Sequence, residues 1–275
     1  MFPNRFIFRL GKFGSFLALD VVLSVVANLS FFSLYLNQPI RPSLIIFYIS
    51  SVWALYLADH LWDAFREKER VSDRGKFYLS FRQEIVSFLI FLVFTSLFIG
   101  IHFEFSFLEK NLPLLIAFVF SIYLIVKNHS PIPKEILVSA FYCLGLLAPF
   151  GSFGGLDLVF WIFFIHVFAN VLLTYNTDRE FDLLHNTFTM TRYLKPKTVK
   201  TLTQILLGLG SFCLLWASIW GNLSFWFLLG LGFTYIWLGV CSFLTGREHP
   251  FKSFCELSYL PMFLPQIFFF FSLLP

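Results

Sequence analysis

Long apolar runs alternate with short polar breaks along almost the whole chain. Nine runs can be counted, at residues 14–36, 43–63, 85–103, 111–126, 134–153, 156–175, 202–220, 224–244 and 257–274. Most hold enough residues to cross a hydrocarbon core about 30 Å thick at about 1.5 Å per helical residue. The fourth is the shortest. The runs are continuously apolar rather than alternating, which argues for helices and against a membrane β-barrel. Pro149, Gly151 and the Gly154-Gly155 pair predict a turn between the fifth and sixth runs. The pattern predicts an all-α polytopic membrane protein with nine transmembrane helices, forming one domain over residues 1–275. Arg5, Arg9 and Lys12 resemble the basic start of a signal peptide. The run after them is too long for one and no small-x-small cleavage site follows, so the first run is read as a membrane helix.

Composition supports the same class. Hydrophobic residues make up 58% of the 275 positions and charged residues 13%, about half of the ~25% usual in a soluble domain. Phenylalanine alone fills 41 positions. These values exclude a disordered chain, a fibrous repeat and a disulfide scaffold, and argue strongly against a soluble globule. A net charge of +4 gives no reason to expect nucleic acid as a partner. Cys143, Cys213, Cys241 and Cys255 form no CxxC motif and read as small apolar residues.

The charges that remain are one-sided. With the N-terminus in the cytoplasm, nine spans put 18 of the 20 basic residues on the cytoplasmic side, leaving only Arg41 and Lys110 outside. This satisfies the rule that cytoplasmic loops carry the Lys/Arg excess. It predicts an integral membrane protein with its C-terminus outside. Twelve of the 16 acidic residues fall on the same side.

Two acidic groups stand out there. Tyr56-Leu-Ala-Asp59-His60-Leu-Trp62-Asp63 ends the second run, and Tyr175-Asn176-Thr-Asp178-Arg179-Glu-Phe-Asp182 follows the sixth. Each is Asp-x-x-x-Asp, which places two carboxylates one above the other on a helix, where they repel unless a cation lies between them. Mg²⁺ suits such a setting, being held by one or two carboxylates together with substrate phosphates. Arg66, Arg74, Lys76, Lys127 and Arg179 lie near enough in sequence to contact phosphate oxygens. The pattern fits a diphosphate site beside lipid, and equally a solvated membrane flank with mixed charge. His60 reads as an interfacial or supporting residue. Asp20 reads as an interhelical hydrogen-bonding group or a contact for a polar acceptor. Asn28, Asn170 and Gln204 read as interhelical glue, and Glu256 receives no role.

These motifs, with the nine-run topology, resemble the UbiA superfamily of membrane prenyltransferases over most of the chain. A further likeness lies in Tyr123-Leu-Ile-Val-Lys127 followed by Ile132-Pro-Lys134-Glu135 and a small-residue helix reaching Gly145, similar to that family's fourth-to-fifth helix junction. The chain departs from the family's first motif, Asn-Asp-x-x-Asp-x-x-x-Asp. Ala58 stands in place of Asn, and Asp59 and Asp63 are followed only at a distance by Asp73, Arg74 and Lys76. This is closer to a divergent bacterial branch, a resemblance that implies the bacterial inner membrane as the location. The second motif, Asp178-x-x-x-Asp182, matches better.

The resemblance implies a UbiA-like helical bundle and a transferase. Mg²⁺ bound by Asp59, Asp63, Asp178 and Asp182 would hold a polyprenyl diphosphate, and basic side chains would stabilise the departing diphosphate. Tyr56, Trp62, Tyr123 and Tyr175 could face the resulting allylic cation. The acceptor is not specified. The competing expectation is a catalytically degenerate relative that binds isoprenoid or other lipid. A transporter ranks third, since no internal repeat and no polar midplane is evident.

Overall fold

The computed structural model describes residues 13–67, 72–151, 157–184, 187–220, 223–244 and 249–272. It is 86% helical, with no strand among the described residues. In chain order the helices are α1 (Leu19–Tyr35), α2 (Pro42–Arg66), α3 (Asp73–Ser80), α4 (Arg82–His102), α5 (Phe105–Lys110), α6 (Leu112–Val126) and α7 (Lys134–Leu147). Then come α8 (Leu158–Tyr175), α9 (Arg179–Leu184), α10 (Met190–Tyr193), α11 (Pro196–Trp220), α12 (Phe225–Phe243) and α13 (His249–Glu256). A 3₁₀ segment, Leu257–Phe263, leads into α14 (Leu264–Ser272).

Among the described residues six stretches are long and apolar enough to cross a membrane: α2, α4, α8, α11, α12 and the composite Phe251–Phe271. The chain is therefore an all-α integral membrane protein. Large apolar side chains such as Ile90, Phe94 and Leu97 on α4, and Phe212, Trp216 and Trp220 on α11, stand exposed, as lipid-facing residues do. Each of the nine apolar runs contains helix, but α1, α6 and α7 have only 17, 15 and 14 residues. The first run is shortened by a break at Ala18, whose φ of 55° interrupts the helical path before Leu19. Arg5, Arg9, Lys12, Lys68, Arg70 and Arg247, counted in the charge asymmetry, lie outside the described residues, as does the Gly154-Gly155 turn.

Helix ends follow local sequence. Pro42 occupies the first turn of α2, where its missing N–H costs nothing. Ser72 caps α3 by accepting from the Gly75 N–H at 2.9 Å, and Asp157 caps α8 by accepting from Phe160 N–H at 3.0 Å. Asn37 and Asn128, with φ of 51° and 54°, end α1 and α6. In both cases the next residue's N–H returns to a carbonyl five residues back, from Gln38 to Ser33 and from His129 to Leu124.

The chain divides into two compact units, Met1–Val26 with Ile40–Glu109, and Ala27–Pro39 with Lys110–Pro275. In the first, Ala54, Leu57, Leu61 and Ala64 form one stripe of α2 at three- and four-residue spacing, packed with Tyr78, Ile85 and Leu92. The Ser51 and Ser96 hydroxyls bond at 2.6 Å between α2 and α4. At the start of α2, the fully buried Glu104 carboxylate accepts from Arg41 Nη2 and Ser43 Oγ, each at 2.5 Å.

In the second unit α8 is buried on most sides and packs against α7, α11 and α12. Asn28 and Asn170 act as the interhelical glue their sequence positions suggest. Asn28 Nδ2 donates to Tyr142 Oη at 2.8 Å, and Asn170 Nδ2 donates to the Cys255 carbonyl at 2.7 Å. Tyr235 Oη donates to the Ile162 carbonyl at 2.5 Å. All four cysteines are free thiols, three of them buried.

Candidate functional site

The two acidic motifs belong to different units. In the first unit, α2 has 25 residues, about 37 Å of helix. That exceeds a hydrocarbon core of about 30 Å, and Asp59, Asp63 and Arg66 lie towards its C-terminal end. Asp59 is exposed. Asp63 is half-buried, and its Oδ2 lies 3.9 Å from Arg74 Nη2 on α3. Arg74 itself is buried, while Lys76 on the same short helix is exposed. His60 points between the acidic residues into the core. Its Nδ1 lies 3.2 Å from Tyr78 Oη, which donates to the Phe16 carbonyl at 2.7 Å. With that proton committed, Tyr78 accepts from His60, so neutral His60 carries its proton on Nδ1. His60 is thus a supporting residue that joins α2 to α3. Asp20, also buried in this unit, accepts from the Val21 N–H at 3.0 Å.

The second motif is better assembled. α8 ends at Tyr175, and Asp178 precedes the first residue of α9, the position an Asp commonly takes before a helix. The Asp178 carbonyl accepts from the Asp182 N–H at 3.0 Å, which sets the two residues one turn apart. Asp178 Oδ2 receives the Lys252 ammonium of α13 at 2.6 Å, with side chains 35% and 23% exposed. Asp182 is buried. Burial pushes its carboxyl up to about 7. Asp178 and Glu135 add to this rise, and Lys134 and Lys252 oppose it. Lys134 also places its ammonium 5.2 Å from the centre of the Tyr175 ring.

Glu135 holds the segment around the motif. Fully buried, it accepts from the backbone N–H groups of Met190 and Thr191, both at 2.9 Å, while the Lys134 N–H donates to the Phe188 carbonyl at 3.0 Å. Arg179 Nη2 donates to the Leu194 carbonyl. Arg179 Nε and Asn176 Oδ1 are buried with no hydrogen-bond partner among the described residues. Such atoms are uncommon, and Asn28, Thr189, Thr191 and Gln266 carry others among the described residues.

Of the remaining basic candidates, Arg66 is half-buried in the last turn of α2, and Lys127 is exposed just after α6. Among the aromatic candidates, Trp62 and Tyr123 are exposed, and Tyr56 packs edge-on against His60. Sequence reasoning overlooked Lys252 and Glu135 as parts of the motif's surroundings. Glu135 and Lys134 were signalled by a charged pair opening an apolar run, and Lys252 by a polar, one-turn-spaced stretch before the last run. Neither signal names a partner.

The charged groups gathered around Asp178 and Asp182 are carboxylates, ammonium groups and a guanidinium. Among the described residues no group of three or more His, Cys, Asp or Glu side chains converges to hold a metal ion. No family model, curated protein or solved structure matches the chain.

Proposed function

We propose that the chain is a UbiA-like membrane prenyltransferase that moves an isoprenyl group from a polyprenyl diphosphate to an acceptor within the bilayer. The observation that carries the reading is the set of charged groups at the end of α8, where Asp178 and Asp182 lie with Lys134, Lys252 and Arg179. Carboxylates supply oxygen ligands for Mg²⁺, and ammonium and guanidinium groups supply donors for phosphate. With two carboxylates at hand, the donor set fits Mg²⁺ only as a site completed by substrate phosphates and water. Mg²⁺, when bound, would neutralise charge on the departing diphosphate. Arg179, next to Asp178 in the chain, adds a guanidinium to the set, its Nε without a hydrogen-bond partner among the described residues. Lys134, beside the Tyr175 ring, adds a second cation. Asp59 and Asp63 enter the proposal through the sequence motif alone. The same proposal takes nine spans, a cytoplasmic N-terminus and an outside C-terminus from the charge asymmetry, and the bacterial inner membrane from the family resemblance.

A second reading is favoured by the ion pairs themselves. Asp178 with Lys252 and Asp63 with Arg74 show each motif carrying a carboxylate already neutralised by a protein cation. On that reading the protein retains isoprenoid lipid without catalysis.

Equilibrium binding of a prenyl diphosphate to the purified protein, with and without Mg²⁺, tests the first reading. Binding should require Mg²⁺ and vanish when Asp178→Ala is combined with Asp182→Ala. Metal-independent binding unaffected by those changes would overturn it. Binding that behaves as expected but yields no transfer to any extracted membrane acceptor would favour the second.

A further inference from the structure

We infer that Lys252 is an exchangeable counter-ion: it neutralises Asp178 in the ligand-free protein and transfers its ammonium to the phosphate when a metal–diphosphate complex binds. The inference rests on the diphosphate reading above and adds to it a residue and a regulation. Lys252 reaches Asp178 Oδ2 at 2.6 Å from α13, an element 74 positions away in sequence. Its backbone is fixed. Asn170 Nδ2 holds the Cys255 carbonyl at 2.7 Å, and Trp237 Nε1 holds the Phe254 carbonyl at 3.0 Å. Only the four-carbon arm of Lys252 has to move for the ammonium to change partner, and a lysine arm with three rotatable donors does so at little cost.

Electrostatics sets the direction of exchange. An ammonium and a divalent cation cannot both sit against one carboxylate oxygen without mutual repulsion. A metal taken up at Asp178 therefore expels Lys252, and the nearest dense negative charge is the phosphate that arrives with the metal. The existing pair is partly exposed on both sides, so its loss changes affinity by a factor of only about five. A deeply buried pair would resist such exchange. While it lasts, the pair weakens the uptake of free metal at Asp178 by about that factor.

The test uses the full-length protein in lipid nanodiscs, with Mn²⁺ as a spectroscopic substitute for Mg²⁺ and farnesyl diphosphate as the anion. Mn²⁺ binding is followed by electron paramagnetic resonance, first alone and then with farnesyl diphosphate. Lys252→Met should bind Mn²⁺ alone roughly fivefold more tightly than the parent and farnesyl diphosphate with Mn²⁺ roughly fivefold more weakly. Lys252→Arg should keep the parent's diphosphate affinity. If Lys252→Met does not fold, Lys252→Gln carries the same expectations. Opposite movement of the two affinities supports exchange. Two affinities that fall together, or neither moving, would make Lys252 a structural tie and overturn the inference while leaving the prenyl diphosphate reading intact. A parent protein that binds no farnesyl diphosphate removes that reading, and the inference with it.

Discussion

Asp178 stands half-exposed against the Lys252 ammonium, whereas Asp182, one turn on, is buried with its carboxyl pushed up to about 7. Asp182 therefore holds its proton more tightly when folded than when unfolded, where its value is near 3.8. Its contribution to stability is fully present below pH ~4 and declines as the pH rises to about 7. In metal-free buffer, Asp182→Asn should melt at the same temperature as the parent near pH 4 and above it at pH 7–8. Thermal unfolding in detergent across that range checks this, and a constant difference between the two proteins would refute it. Glu135 shows the opposite economy. It is fully buried yet satisfied by two backbone donors. Glu135→Ala should destabilise the protein by about 2–4 kcal/mol, since two buried N–H groups lose a charged acceptor. Glu135→Gln should cost less, because one acceptor oxygen remains. Denaturation midpoints of the two variants separate these outcomes. Both carboxylates were visible in the sequence as charges beside apolar runs. Their different fates were not, because burial and hydrogen-bond partners come from segments about 50 residues away or more.

At the scale of elements, α11 and α12 approach closely at Gly210. A methyl group there would lie 2.1 Å from the Tyr235 hydroxyl, the group that donates to the Ile162 carbonyl of α8. Gly210→Ala should displace Tyr235 and cost about 1–3 kcal/mol, read as a lower melting temperature. Gly208 lies in the same helix with nothing within 4 Å of its added carbon. Gly208→Ala should leave stability unchanged or raise it slightly, since alanine is the better helix former. The two glycines are indistinguishable by sequence, two positions apart in one apolar run. Only the facing helix tells them apart. Pro261 and Pro265 act differently: they convert the start of the last apolar run into 3₁₀ helix and bring it against Gly230, where an added carbon would meet the Pro265 ring at 3.2 Å. Sequence inspection expected that run at residues 257–274, whereas the candidate span among the described residues is Phe251–Phe271 and helix already begins at His249, one amphipathic element earlier.

For the molecule as a whole, the number of crossings decides where the ends lie. Nine spans place the termini on opposite faces of the membrane, and six place them on the same face. Reporter fusions at the two ends distinguish these outcomes: nine spans require a cytoplasmic signal at the N-terminus and an external one at the C-terminus. The same fusions placed in the segments near Lys76, Lys195 and Lys252 should all report the cytoplasm if the asymmetry of 18 basic residues to two reflects the true orientation. The three shorter apolar helices, α1, α6 and α7, carry this question. Their lengths correspond to about 26, 22 and 21 Å of helix, short of a typical hydrocarbon core. They would cross with local thinning of the bilayer or with flanking side chains reaching to the interface.

The sequence alone determined the helical class and the membrane, because continuous apolar runs and scarce charge have only one stable solution in a bilayer: backbone groups bonded within each segment. It also located the two Asp-x-x-x-Asp motifs, since i and i+4 spacing is a local property of one helix. Tertiary structure decided which carboxylate is buried and which is paired. It brought Lys252 to Asp178 and Glu135 to the Met190–Thr191 backbone, and it made Gly210 a contact point while leaving Gly208 open. These outcomes depend on through-space distances between segments remote in the chain. Desolvation and ion pairing act over a few ångströms and take no account of sequence separation.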